Sequence, residues 1–205
     1  FFILLAFFKP VACAILIIIF DFYWIVRTAY LTTLLVMAYR KLSKEKDKDW
    51  ISEYEALNQD KDWRDLYHLI IFPVYKEGPE VLRPSLEALK FSHYPKDKMI
   101  VVLAFEERNP KARENAKILE TEFKKSFFNY LSTFHPDGLS GEKRTKGANA
   151  TWAGKRAKEY FDAKSISYKD VIISCFDADT CVDKEYFGCL AFHFLTQPNP
   201  HQASY

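Results

Sequence analysis

Val171-Ile172-Ile173-Ser174-Cys175-Phe176-Asp177-Ala178-Asp179-Thr180 is the stretch on which the fold turns. A short apolar run rich in β-branched residues ends in two carboxylates separated by one small residue. Length and composition predict a buried strand over 171–176. Ionised side chains at the end of such a strand are costly unless a cation or hydrogen-bond donors meet them. Open α/β sheets gather ligands beyond the carboxyl ends of their strands. An Asp-x-Asp there is a seat for a hard divalent cation that also holds a phosphate. The plain alternative is that Asp177 and Asp179 only begin a turn.

Upstream, strand and helix patterns alternate. Residues 66–74 predict a strand closed by Pro73 and followed by Tyr75-Lys76-Glu77-Gly78. Pro79 suits a first helical turn and opens a helix over 79–91, with Val81, Leu82, Leu86 and Leu89 as its buried stripe. Residues 98–105 form a second strand that stops at Glu106-Glu107. A long amphipathic helix with a solvated charged face covers 110–128, and a third strand 130–134. A polar loop over 135–146 contains Gly138 and Gly141, and a helix over 147–161 leads to the fourth strand. This alternation implies an α/β fold, a doubly wound and mostly parallel sheet with helices on both faces.

Among the 205 residues, 49% hydrophobic and 27% charged are globular proportions, while 17% aromatic predicts a membrane-proximal or ligand-stacking surface. A net charge of +2 with no dominant basic face argues against nucleic acid as a partner. Cys13, Cys175, Cys181 and Cys189 form no Cys-x-x-Cys pair and have no histidines at zinc spacing, so they are expected to be reduced core thiols.

The first 20 residues are apolar apart from Lys9-Pro10 and are long enough to cross a bilayer. Asp21 and the boundary-type aromatics Phe22-Tyr23-Trp24 follow, and apolar character resumes over 25–39. A secretory signal is too short for this pattern; a buried helix of a soluble protein is the other alternative. Either 1–20 spans and 25–42 lies along the interface, or the span starts at Pro10 and runs past Asp21. Arg40, Lys41, Lys44, Lys46 and Lys48 place the downstream domain in the cytoplasm by the positive-inside tendency, at a plasma or inner membrane. The expected division is a transmembrane and interfacial segment over 1–42, an amphipathic linker over 43–65 with Trp50, Ile51, Tyr54 and Leu57 at helical spacing, and a ligand-binding domain over 66–205. Phe1 already lies inside an apolar run and Tyr205 follows no domain stop, so a longer parent polypeptide is expected.

Parallel strands would bring Glu77, Glu106, Asp177 and Asp179 to one sheet edge. Lys146 and Asn149 fall near the start of the helix before the fourth strand. Acids that accept from a base and a ribose, a cation-binding pair, and a lysine near a helix amino end together suit a nucleotide diphosphate bridged by a metal.

With these residues on one edge, the chain resembles the family 2 glycosyltransferases, the membrane-attached inverting group that includes cellulose and hyaluronan synthases. The matching blocks are Pro73-Val74-Tyr75-Lys76-Glu77 (Pro-x-Tyr-x-Glu), Lys146-Gly147-Ala148-Asn149 (Lys-x-x-Asn) and Asp177-Ala178-Asp179, in that order over 66–205. The resemblance implies a GT-A fold, hexosyl transfer from a nucleotide-sugar, a UDP-sugar first among them, and Mg²⁺ or Mn²⁺ on the diphosphate. It implies that Pro73, Tyr75 and Glu77 line the nucleoside pocket, that Lys146 and Asn149 contact the sugar nucleotide, that Asp177 approaches the nucleotide, and that Asp179 is the principal metal ligand, with Asp177 beside it. The acceptor would be a saccharide or a lipid. Two departures stand out. The second strand ends in Glu106-Glu107 where the family has aspartate, and Glu106 is taken for that role. The family's catalytic base and its Gln-x-x-Arg-Trp motif lie beyond the Asp-x-Asp, so the base is expected beyond Tyr205.

Phe176-Asp177-Ala178-Asp179-Thr180 also matches the Asp-x-Asp-x-Thr of haloacid dehalogenase-like phosphatases, whose first Asp is the nucleophile. That motif sits on an early strand, and the other two blocks would be left without a role. A third alternative is a non-catalytic, membrane-tethered scaffold built on a sugar-nucleotide domain. His135, before Pro136, is expected to shape a turn; His68, His93, His193 and His201 have no partners at metal spacing. Ser140 lacks a nucleophile elbow, and Trp152 is expected to pack on the sheet.

Overall fold

The computed structural model describes residues 2–204; Phe1 and Tyr205, the outer bounds of the expected segments, lie outside the described residues. The chain divides into two compact units, Phe1–Lys48 and Asp49–Tyr205.

In the first unit, α1 (Phe2–Phe8) is followed by α2 (Pro10–Glu45). The break falls at Lys9, whose φ of −142° and ψ of 66° lie outside the helical region, which a following proline disfavours. Pro10 then opens α2, where its missing N–H costs nothing. No Gly or Pro interrupts 11–45, so nothing breaks the helix at Asp21, and the arrangement with a separate interfacial helix over 25–42 is not the one observed. At 36 residues the helix is about 54 Å long at 1.5 Å per residue, and it is long and apolar enough to cross a membrane. Thr33 Oγ1 satisfies itself on its own helix, donating to the Ala29 carbonyl at 2.8 Å.

The second unit is α/β. Its strands β1 (Tyr67–Val74), β2 (Met99–Glu106), β3 (Asn129–His135) and β4 (Val171–Cys175) form one all-parallel sheet in the order β3-β2-β1-β4. β1 and β2 are central and almost wholly buried, which matches their unbroken apolar sequence. Alternate residues feed two cores. Ile70, Phe72, Val101, Leu103 and Phe105 pack with α4 (Pro79–Phe91), α5 (Ala112–Phe123) and α7 (Tyr186–Thr196) on one face. Leu69, Ile71, Ile100, Val102 and Ala104 meet Ala153, Ala157 and Phe161 of α6 (Lys146–Lys164) on the other. Helices therefore cover both faces, as the alternation predicts.

Three expectations need correction. β4 is not a fully buried strand: it forms the sheet edge, and its outer face is open, with Ile173 64% exposed. For the same reason Cys175 is exposed, as is Cys181 in the loop beyond, so they are free but not core thiols. Nor is 43–65 a linker. α3 (Trp50–Ala56), capped by the Asp49 carboxylate on the Ser52 N–H at 3.0 Å, buries Trp50 and Tyr54. It packs against α7, and Trp63 beyond it is buried against the Tyr94 ring at 5.6 Å. The folded unit thus starts at Asp49 rather than at residue 66. α7 itself has the helical spacing Phe187, Leu190, Ala191, Phe194, and no expectation covered it.

Candidate functional site

The chain runs β1, β2, β3 across the sheet and then returns to the far side of β1 for β4. The strand order reverses between β1 and β4, and in open parallel sheets ligands bind beyond the carboxyl ends at such a switch point. A cavity of about 430 Å³ opens there. Its lining is Pro73, Val74, Tyr75, Glu77, Val81, Glu106, Arg108, Lys146, Asn149, Asp177, Ala178 and Asp179. All eight residues singled out from sequence, drawn from four separate stretches, lie on this one cavity.

Each is placed by local structure. β1 ends at Val74, and the following turn is braced by Glu77, whose Oε2 accepts from the Tyr75 N–H at 2.7 Å and the Lys76 N–H at 3.0 Å. Burial pushes the Glu77 carboxyl up, but these backbone N–H groups and the nearby Lys146 charge outweigh it and hold it below the usual carboxylate range. Glu77 therefore spends one oxygen on the loop it belongs to. Glu106 ends β2 on the α6 side of the sheet and is 4% exposed. Thr145 caps α6, its hydroxyl accepting from the Ala148 N–H at 3.2 Å, and so sets Lys146 as the first helical residue. Asn149, three residues on and 1% exposed, donates from Nδ2 to the Ala104 carbonyl at 2.5 Å, while its buried Oδ1 has no partner. After β4, the Thr180 N–H donates to the Asp177 carbonyl at 2.9 Å. The two aspartates do begin a turn, then, and that turn faces the cavity.

The charges are mixed. Lys146 Nζ forms an ion pair with Asp177. Asp179 is exposed, and among the described residues its carboxylate has no hydrogen bond or ion pair. No three His, Cys, Asp or Glu side chains among the described residues are grouped to hold an ion alone. Mg²⁺ is ordinarily bound through one or two carboxylates together with substrate phosphates. Asp179, with Asp177 two residues away, could hold such an ion only together with ligands from elsewhere.

Sequence reasoning missed Arg108. Its guanidinium lies 4.0 Å from the centre of the Tyr75 ring and its Nε is 3.4 Å from Glu106 Oε2. Asn109 fixes the same corner by donating to the Tyr75 carbonyl at 2.6 Å. Asking which bases, as well as which acids, follow each strand end would have found Arg108. His135 was also misjudged: it is the last residue of β3, buried beside Glu106, with Trp152 edge-on to its ring at 5.8 Å. The chain matches no known family model and no curated protein.

Proposed function

We propose that the second unit is the sugar-nucleotide-binding part of an inverting, GT-A-type glycosyltransferase similar to family 2. What supports the reading is one observation: three sequence blocks and Glu106, separated by up to a hundred residues, line a single cavity at the sheet's switch point. That cavity offers an aromatic ring on Tyr75, buried acceptors on Glu106 and Asn149, the Lys146 cation at a capped helix start, and the exposed pair Asp177 and Asp179.

In this reading Tyr75, Glu77 and Glu106 hold the nucleoside, and Lys146 leaves Asp177 to meet the diphosphate. Asp179, with Asp177, holds Mg²⁺ or Mn²⁺, which when bound neutralises charge on the departing diphosphate. Transfer breaks the bond from the anomeric carbon to the diphosphate oxygen and forms one to an acceptor hydroxyl on the opposite face, whose proton needs a base. No carboxylate of the cavity is assigned that task. Glu77 is tied to its own loop, Glu106 faces His135 and Arg108, and in this reading Asp177 and Asp179 are given to the metal. The helix α2 is proposed to cross the membrane, with the basic run from Arg40 to Lys48 on the cytoplasmic side. Protease that reached the second unit from outside intact cells would overturn that orientation.

Calorimetric titration of the full chain with UDP tests the site. Binding is expected with Mg²⁺ or Mn²⁺, is lost with a chelator, and is lost in Asp179→Ala. Equal affinity in that variant removes the metal role; a phosphoryl group trapped on Asp177 replaces the proposal with phosphatase chemistry; no binding of any nucleotide-sugar leaves the scaffold.

A further inference from the structure

The turn that ends β2 sets an acid beside a base. Its closing hydrogen bond, from the Asn109 N–H to the Glu106 carbonyl at 3.0 Å, keeps Glu106 and Arg108 together on the cavity wall. Glu107 between them is exposed and engaged by Arg113 at 2.6 Å. Glu106 is 4% exposed, and both Arg108 Nε and His135 Nδ1 lie 3.4 Å from its Oε2. Among the described residues its other oxygen, Oε1, accepts no hydrogen bond. Arg108 is fixed in turn. Its guanidinium lies 4.0 Å from the centre of the Tyr75 ring, and the neighbouring Asn109 is tied to the Tyr75 carbonyl at 2.6 Å. Among the described residues Nη1 and Nη2 donate no hydrogen bond.

A carboxylate only accepts, and a guanidinium only donates. Side by side they complement a planar edge that carries an N–H next to a carbonyl oxygen. They oppose an edge that carries a lone pair next to an amino group, where acceptor would meet acceptor and donor would meet donor. Uracil, with N3–H beside O4, is the first kind of edge; cytosine, with N3 beside its N4 amino group, is the second. We propose, on the nucleotide-binding reading of this cavity, that Arg108 is a specificity-determining residue which, with Glu106, selects uracil over cytosine. Glu106 Oε1 takes the base N3–H, and an N–H of the Arg108 fork meets O4. The Tyr75 ring holds the guanidinium by a stacking contact for which its flat, delocalised shape is suited. Discrimination of this kind is strong because the wrong base leaves the polar groups of the site unpaired, a heavier penalty than a small mismatch of shape.

UDP and CDP differ at that edge alone, so their affinities for the full chain in detergent, measured by calorimetry with Mg²⁺, isolate the effect. The unaltered chain is expected to bind UDP at least about tenfold more tightly than CDP, the scale of one hydrogen bond to a charged group. Arg108→Gln replaces a donor-only group with an amide that can present either its N–H or its carbonyl, and is expected to bring the ratio close to one. Arg108→Lys keeps donors without an acceptor and is expected to retain the preference for UDP, with both nucleotides weakened by loss of the flat contact on Tyr75. An Arg108 that only braced Tyr75, or only met the diphosphate, would weaken both nucleotides alike in Arg108→Gln. An unchanged ratio in that variant therefore overturns the proposal, as does an Arg108→Lys ratio that collapses like that of Arg108→Gln. Equal binding of UDP and CDP by the unaltered chain overturns it while leaving the glycosyltransferase reading in place; no binding of either nucleotide overturns both.

Discussion

His68 lies inside β1 with both ring nitrogens buried and unpartnered, edge-on to Tyr94 at 4.5 Å and Phe187 at 4.9 Å. Burial pushes its pKa down from 6.5 to about 3, so the folded chain keeps it neutral where the unfolded chain would protonate it. The stability it permits is complete above pH 6.5 and is lost as pH falls toward 3, because the unfolded state then binds the extra proton. The slope approaches about 1.4 kcal/mol per pH unit. Denaturant unfolding of the full chain is expected to lose about 2 kcal/mol between roughly pH 6.5 and 5 relative to His68→Leu; equal slopes in the two chains would refute it. Glu77, held below its usual 4.5, gives stability that is present above that pH and lost below it, outside this window. Asn149 makes a second case. Motif alone marks it for ligand contact, yet its Nδ2 is spent on the Ala104 carbonyl, a use that no motif reveals. Asn149→Ala is expected to cost about 2 kcal/mol in the same assay, for a lost hydrogen bond and a cavity. A cost near zero would mean that the bond to the strand does not hold α6.

At the scale of elements, what could be read in advance depended on whether packing or pattern decides. α4 begins and ends where Pro79 and the apolar stripe place it, and β1 and β2 are continuous apolar runs because both of their faces are covered. β4 has the same composition but only one covered face, and side-chain apolarity does not distinguish a central strand from an edge. α3 was legible as a helix but not as part of the core, since its partner α7 lies about 130 residues away. Their contact is close at Gly188, where an added Cβ would sit 3.5 Å from Trp50 Cβ and 3.6 Å from Ile51 Cγ1. That is ordinary van der Waals contact, and alanine gains helix propensity, so Gly188→Ala is expected to be neutral or stabilising by up to about 1 kcal/mol. Gly188→Leu has no such room and is expected to push α3 off, exposing Trp50 with a red shift in its fluorescence. If both variants leave the emission unchanged, α3 is not held on α7.

Across the whole molecule, the candidate site was legible because parallel strands carry successive loops to one edge, so linear order became spatial convergence without any side-chain detail. The boundary of the folded unit was not, because 49–65 is polar along its length and its few buried residues, Trp50, Tyr54 and Trp63, are scattered. Two of these nevertheless belong to the principal core, Tyr54 and Trp63 sharing it with Leu66, Ile70 and Phe187, and the buried Trp50 meets Phe192 beside it at 5.1 Å. Large aromatics each bury about 150–250 Å², and removing one from a core typically costs about 3–5 kcal/mol, so losing all three would exceed a reserve of about 5–15 kcal/mol or consume most of it. A chain starting at Asp49 is therefore expected to leave the membrane fraction and unfold cooperatively, while one starting at Leu66 is expected to aggregate or melt without a transition. Cooperative unfolding of the shorter chain at an unchanged midpoint would restore 49–65 to the status of a linker. A chain from Asp49 that still sediments with membranes, yet unfolds cooperatively, would show that α2 is not what holds the protein there.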